Sequence, residues 1–86
     1  MKIRLTAPAE KEWHKLPLSI RKKAEKQTRF LVDDMFYPSL RTKKVSGREG
    51  LWEARIDYHY RMTFQKVNDT IIIRALGPHD AGLGEK

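Results

Sequence analysis

Cysteine is absent from the 86-residue chain. That excludes disulfides, thiolate metal sites and a cysteine nucleophile, and it suits a cytoplasmic protein. Long apolar runs are missing too. Nothing approaches the ~18 residues of a membrane span, and Met1-Lys2 leads straight into alternating residues with no signal-peptide core. A soluble chain with no membrane partner is expected. Histidine is sparse: His14, His59 and His79 form no ligand motif, so neither a metal nor another cofactor is expected. Acidic residues are outnumbered, 11 against 18 Lys and Arg, leaving a net charge of +7 and a pI of about 9.9. An excess of that size on a small domain favours a polyanionic partner, either nucleic acid or an acidic protein. The length allows one domain, residues 1–86, with one modest core.

The stretch Leu51–Gln65, LWEARIDYHYRMTFQ, organises the rest. Trp52, Ala54 and Ile56 alternate with Glu53, Arg55 and Asp57. After a tight turn near Asp57–His59, Tyr60, Met62 and Phe64 alternate with Arg61, Thr63 and Gln65. Successive side chains on a strand point to opposite faces, so this is a hairpin with one apolar face and one charged face. A further run, Thr70–Leu76, follows the turn at Asn68-Asp69 and ends at Gly77-Pro78-His79-Asp80. The charged face thus gathers Glu53, Arg55, Asp57, His59, Arg61 and His79.

Upstream, Lys2–Thr6 alternates as a short strand. Thr6 is placed to cap a helix that carries Pro8 and Glu10 in its first turn and Ala9, Trp13 and Leu16 on one face. Leu16-Pro17 breaks it. A second helix runs to about Asp34, with Ile20, Ala24, Gln27, Leu31 and Met35 at three-to-four spacing and Arg21, Lys22, Lys23, Lys26 and Arg29 opposite. Ser39–Glu49 is polar and basic, anchored by Leu40 and Val45, with a short strand around Lys43–Val45 and turns at Gly47 and Gly50. The expected fold is α+β: a small antiparallel sheet of three or four strands plus the N-terminal strand, with a helical hairpin packed on one face.

With this order of elements, the stretch G-L-W-E-A-R-I-x-x-x-Y-R-M-T-F from Gly50 to Phe64, the Asn-Asp turn, T-I-I-I-R-A-L-G and the closing Pro-His-Asp, the chain resembles the RelE/ParE superfamily of bacterial type II toxins. Many members are ribosome-dependent endoribonucleases that cut messenger RNA in the A site of the 70S ribosome. The ParE branch poisons DNA gyrase instead, and members are neutralised by a cognate antitoxin. The resemblance implies working roles for Arg61, which follows a tyrosine in its strand, for Arg55 in the preceding strand and for His79. Glu53 stands near a position that is lysine in the best-known branch, and no tyrosine follows Asp80.

RNA cleavage by transesterification needs a base, a cation on the phosphorane and an acid for the leaving oxygen. Arg61 suits the cation, His79 acid or base work, and Glu53 or Asp57 either a base or an orienting partner of Arg55. Catalytic candidates are therefore Arg55, Arg61, His79 and Glu53. RNA-binding candidates are Lys43, Lys44 and Arg48 for phosphate, Tyr58 for stacking on a base, and His59 and Arg74 beside them. Three functions remain open: a messenger-RNA endoribonuclease, a gyrase inhibitor, and an inactive RNA- or antitoxin-binding relative. An acidic antitoxin is the expected partner, touching exposed apolar residues such as Leu40 and Tyr58.

Overall fold

A computed structural model of the chain describes residues 1–78. Its elements are β1 (Lys2–Leu5), α1 (Ala7–Lys15), α2 (Leu18–Asp33), a 3-10 turn (Pro38–Leu40), β2 (Lys43–Lys44), β3 (Trp52–Arg55), β4 (Tyr60–Val67) and β5 (Thr70–Pro78). Thr6 caps α1: its Oγ1 accepts the Ala9 amide at 3.2 Å, an interaction worth about 1 kcal/mol. Pro17 separates the helices, and Arg21 closes the joint by donating from Nη2 to the carbonyl of His14 at 2.9 Å. That bond satisfies a carbonyl orphaned at the end of α1.

The five strands form one sheet in the order β1-β5-β4-β3-β2. Four of them are antiparallel, as the alternation implied. β1 is not: it runs parallel to β5, with Ile3 beside Ile71 and Leu5 beside Ile73, so the sheet is mixed and β1 is its edge rather than an interior strand. Alternation has no direction, so it could not distinguish the two pairings. A bulge between Thr63 and Phe64 leaves Arg74 as an extra residue on β5.

Both helices cover one face. Ala54, Met62, Phe64, Ile71, Ile73 and Leu76 from the sheet meet Ala9, Leu16, Ala24 and Leu31 from the helices. Each large side chain buried here contributes roughly 1.5–3 kcal/mol. Leu40 is fully buried in this core, so it is not the exposed contact that its polar surroundings suggested. Gln27 is the polar residue in the apolar stripe of α2. Its Nε2 donates to the carbonyls of Arg55 at 2.8 Å and Ser39 at 3.2 Å, and its Oε1 accepts from Ser39 Oγ at 3.2 Å. It thereby ties α2 and the 3-10 turn to the end of β3, beyond the short partner β2, where the Arg55 carbonyl takes its bond from a side chain.

Candidate functional site

The charged side chains stand on the sheet face turned away from the helices. Register does the positioning: Lys43 lies opposite Glu53, Glu53 opposite Thr63, Arg55 opposite Arg61, and Arg61 opposite Gly77. Directly opposed residues share a face, so Lys43, Glu53, Arg55 and Arg61 form one cluster. Glu53 is its only carboxylate, 8% exposed, with Oε1 3.7 Å from Lys43 Nζ and 3.8 Å from Arg61 Nε. Those separations make ion pairs without hydrogen bonds.

Arg61 is held on several sides. Besides Glu53, its Nη1 donates to the carbonyls of Asp57 at 2.9 Å, Tyr58 at 3.2 Å and Tyr60 at 3.3 Å. The guanidinium therefore organises the β3–β4 loop from the inside. Arg55 differs: its Nε is buried and has no hydrogen-bond partner among the described residues. A buried charged donor without an acceptor is costly, and two arginines directly opposite each other add repulsion.

Asp57 belongs to the loop, where its carboxylate is engaged by backbone amides and a lysine. Its Oδ1 accepts the amides of His59 and Tyr60, each at 2.9 Å, and Oδ2 pairs with Lys23 of α2 at 3.4 Å. Burial pushes its carboxyl up, but the two amides and Lys23 outweigh that and hold it below the usual carboxylate value of 3.8. The loop presents Tyr58 with 76% of its surface exposed and His59 edge-on to it at 4.9 Å. Arg74 sits further along the same face, at the bulge, donating to Gln65 Oε1 at 3.1 Å. His79 lies outside the described residues.

Lys44 and Arg48, named from the sequence as phosphate contacts, do not join this cluster. Lys44 points to the other side of the sheet edge, its Nζ 5.7 Å from the centre of the Trp52 ring. It lines a cleft with Val45, Arg48, Leu51 and Trp52, whose loop turns at Gly47 and Gly50 with φ of 75° and 76°. Phe36 packs edge-on to Trp52 at 5.6 Å. The alternation placed Trp52 on the apolar face, and it does pack partly buried against the core; Phe36 had no role in the sequence pattern. Its signal was a run of aromatics, Phe36-Tyr37, just past the end of a helix. Among the described residues, no three acidic or histidine side chains group as a metal site, and no helix is long and apolar enough to cross a membrane.

A family model for a ParE-like toxin domain matches residues 18–81. A search of curated proteins finds no significant match. Solved structures do match. A chain of the archaeal RelE–RelB complex from Pyrococcus horikoshii has a TM-score of 0.76 at 18% identity, covering 93% of this chain and 96% of its own. The YoeB/ParE toxin from Agrobacterium tumefaciens has a TM-score of 0.77 at 16% identity, covering 92% and 99%. The YoeB–YefM complex from Staphylococcus aureus gives 0.77 at 14% identity, covering 92% and 97%. The match over residues 18–81 and the shared fold lead to one conclusion: this chain belongs to the ParE-like toxin domain family.

Proposed function

We propose that the chain is the toxin of a toxin–antitoxin pair and acts as an endoribonuclease on messenger RNA at the ribosome. The observation that carries this reading is the opposed pair Arg55 and Arg61 on the charged face of the sheet. A phosphodiester is the anion that this charged face would take. It accepts from both guanidiniums and offsets their repulsion. In the reaction, a base removes the proton of a 2′-hydroxyl, whose oxygen attacks phosphorus. The bond to the 5′-oxygen breaks, and that oxygen takes up a proton, leaving a cyclic phosphate and a 5′-hydroxyl. Arg55 and Arg61 steady the phosphorane. The two proton transfers fall to Glu53, the carboxylate nearest the guanidiniums, and His79. Tyr58, His59, Lys43 and Arg74 hold the flanking nucleotides. Adding purified protein to translating ribosomes and mapping the 3′ ends of the message tests this. His79→Gln should slow cleavage by about 10²-fold or more.

Two of the similar structures are complexes with RelB and with YefM. They support an antitoxin partner here, and a net charge of +7 favours an acidic one. Binding of DNA gyrase is the second reading. It is favoured by the ParE-like description of the family and by how much of Arg61 is spent on the loop. Intact message together with blocked DNA supercoiling would select it.

A further inference from the structure

The two lysines of β2 point to opposite faces of the sheet edge. Lys43 reaches Glu53 in the arginine cluster, and Lys44 reaches over Trp52. Beyond Lys44 lies a cleft of about 560 Å³ with Arg48 on its wall and apolar Val45 and Leu51 beneath. Beside it Phe36, 59% exposed, stands edge-on to Trp52 with the rings 80° apart. Tyr37, 39% exposed, continues the patch and stacks on Phe30 at 4.1 Å. Folding normally covers aromatic surface of this size, and contiguous apolar surface rimmed by cations marks a binding site. Aromatic rings flanked by lysine and arginine suit unpaired bases joined by phosphates: each ring offers a stacking face and each cation a phosphate contact.

We propose that single-stranded RNA leaves the Arg55–Arg61 face at Lys43, rounds the short β2 edge and sets a base against Phe36 and Trp52, with Lys44 and Arg48 on its phosphates. This rests on the ribonuclease reading and extends the substrate path beyond the site of cleavage. β2 is two residues long, so the strand has little edge to cross. The commitment to RNA comes from continuity: the same β2 dipeptide serves both cation clusters, so one polyanion can follow both.

The test uses the full chain and uncleavable 2′-O-methyl RNA oligomers of roughly twelve and roughly three nucleotides, within the span of known single-strand sites. Phe36→Ser and Lys44→Glu each alter an exposed side chain away from the arginine cluster. Each should weaken binding of the long oligomer by about tenfold, the scale of one lost stack, and leave the short one unchanged. Arg55→Ala should weaken both oligomers. Equal binding of the long oligomer by wild type and Phe36→Ser, with Arg55→Ala still defective, overturns the edge path and leaves the cleavage site standing. Failure of the wild type to bind the long oligomer overturns both. If Phe36→Ser spares RNA but weakens binding of the acidic protein encoded beside this chain, the patch serves that protein and the RNA path is wrong.

Discussion

Arg55 on β3 and Arg61 on β4 face each other directly across the ladder, with one buried carboxylate, Glu53, beside them. Such a pair is poor structural design: like charges directly opposite destabilise a sheet, and Arg55 Nε is buried without a partner among the described residues. An anion bound there, as proposed, would offset that repulsion.

The first prediction follows from that conflict. Arg55→Met keeps the unbranched stem of the side chain and removes the guanidinium with its charge. It should raise stability at low salt by roughly 0.2–1 kcal/mol, the range of cross-strand pairs, while abolishing RNA binding. Urea unfolding and RNA titration measure the two effects. A variant that loses stability would mean that Arg55 is held by favourable contacts.

Arg61 should behave differently. Its Nη1 bridges three loop carbonyls, so Arg61→Ala removes growth arrest and also loosens the Asp57–Tyr60 loop. Arg61→Lys should restore part of the phosphate affinity without restoring the loop, because an ammonium lacks the planar fork. Amide exchange at Tyr58 and His59 would read the loop, and equal protection in all three proteins would sink this assignment.

Asp57 makes stability depend on pH. Its folded pKa lies below the unfolded value, so its contribution is complete above 3.8 and is lost as pH falls through the lower folded value. Asp57→Asn should be less stable than wild type at neutral pH, and the gap should close below pH 3.8. Thermal unfolding across a pH series shows this; a gap that persists into acid would contradict it.

Gln27→Leu should cost about 1–3 kcal/mol, because it strands the buried carbonyl of Arg55. Urea midpoints test it. A neutral effect would show that Gln27 fills space and no more.

Much of this was legible in the chain. The Thr6 cap, the break at Leu16-Pro17 and the turn at Asn68-Asp69 are local signals, and local signals survive folding. The alternation through Glu53, Arg55 and Arg61 put these residues on one face because strand parity is rigid. What failed depended on partners distant in sequence. The direction of β1 is set by β5, whose paired residues lie 68 positions on, so the strand's own pattern could not carry it. Leu40 sits among polar neighbours yet plugs the core, because the 3-10 turn rolls it inward. Asp57 reads in the sequence as a base or a partner of Arg55, and the two loop amides it accepts show only in the fold. Lys43 and Lys44 fall in the short strand the sequence suggests, but which of them meets Glu53 and which meets Trp52 is set by the pairing with β3.

The most direct test of the central claim is message cleavage on translating ribosomes by wild type and by Arg55→Met, with 3′ ends mapped at nucleotide resolution. Wild type should leave discrete breaks inside the message. Arg55→Met, folded and at least as stable, should leave none above background. Breaks at the same sites and rate in both proteins, or an intact message with wild type, would contradict the assignment of the Arg55–Arg61 pair as the phosphate clamp of a ribonuclease.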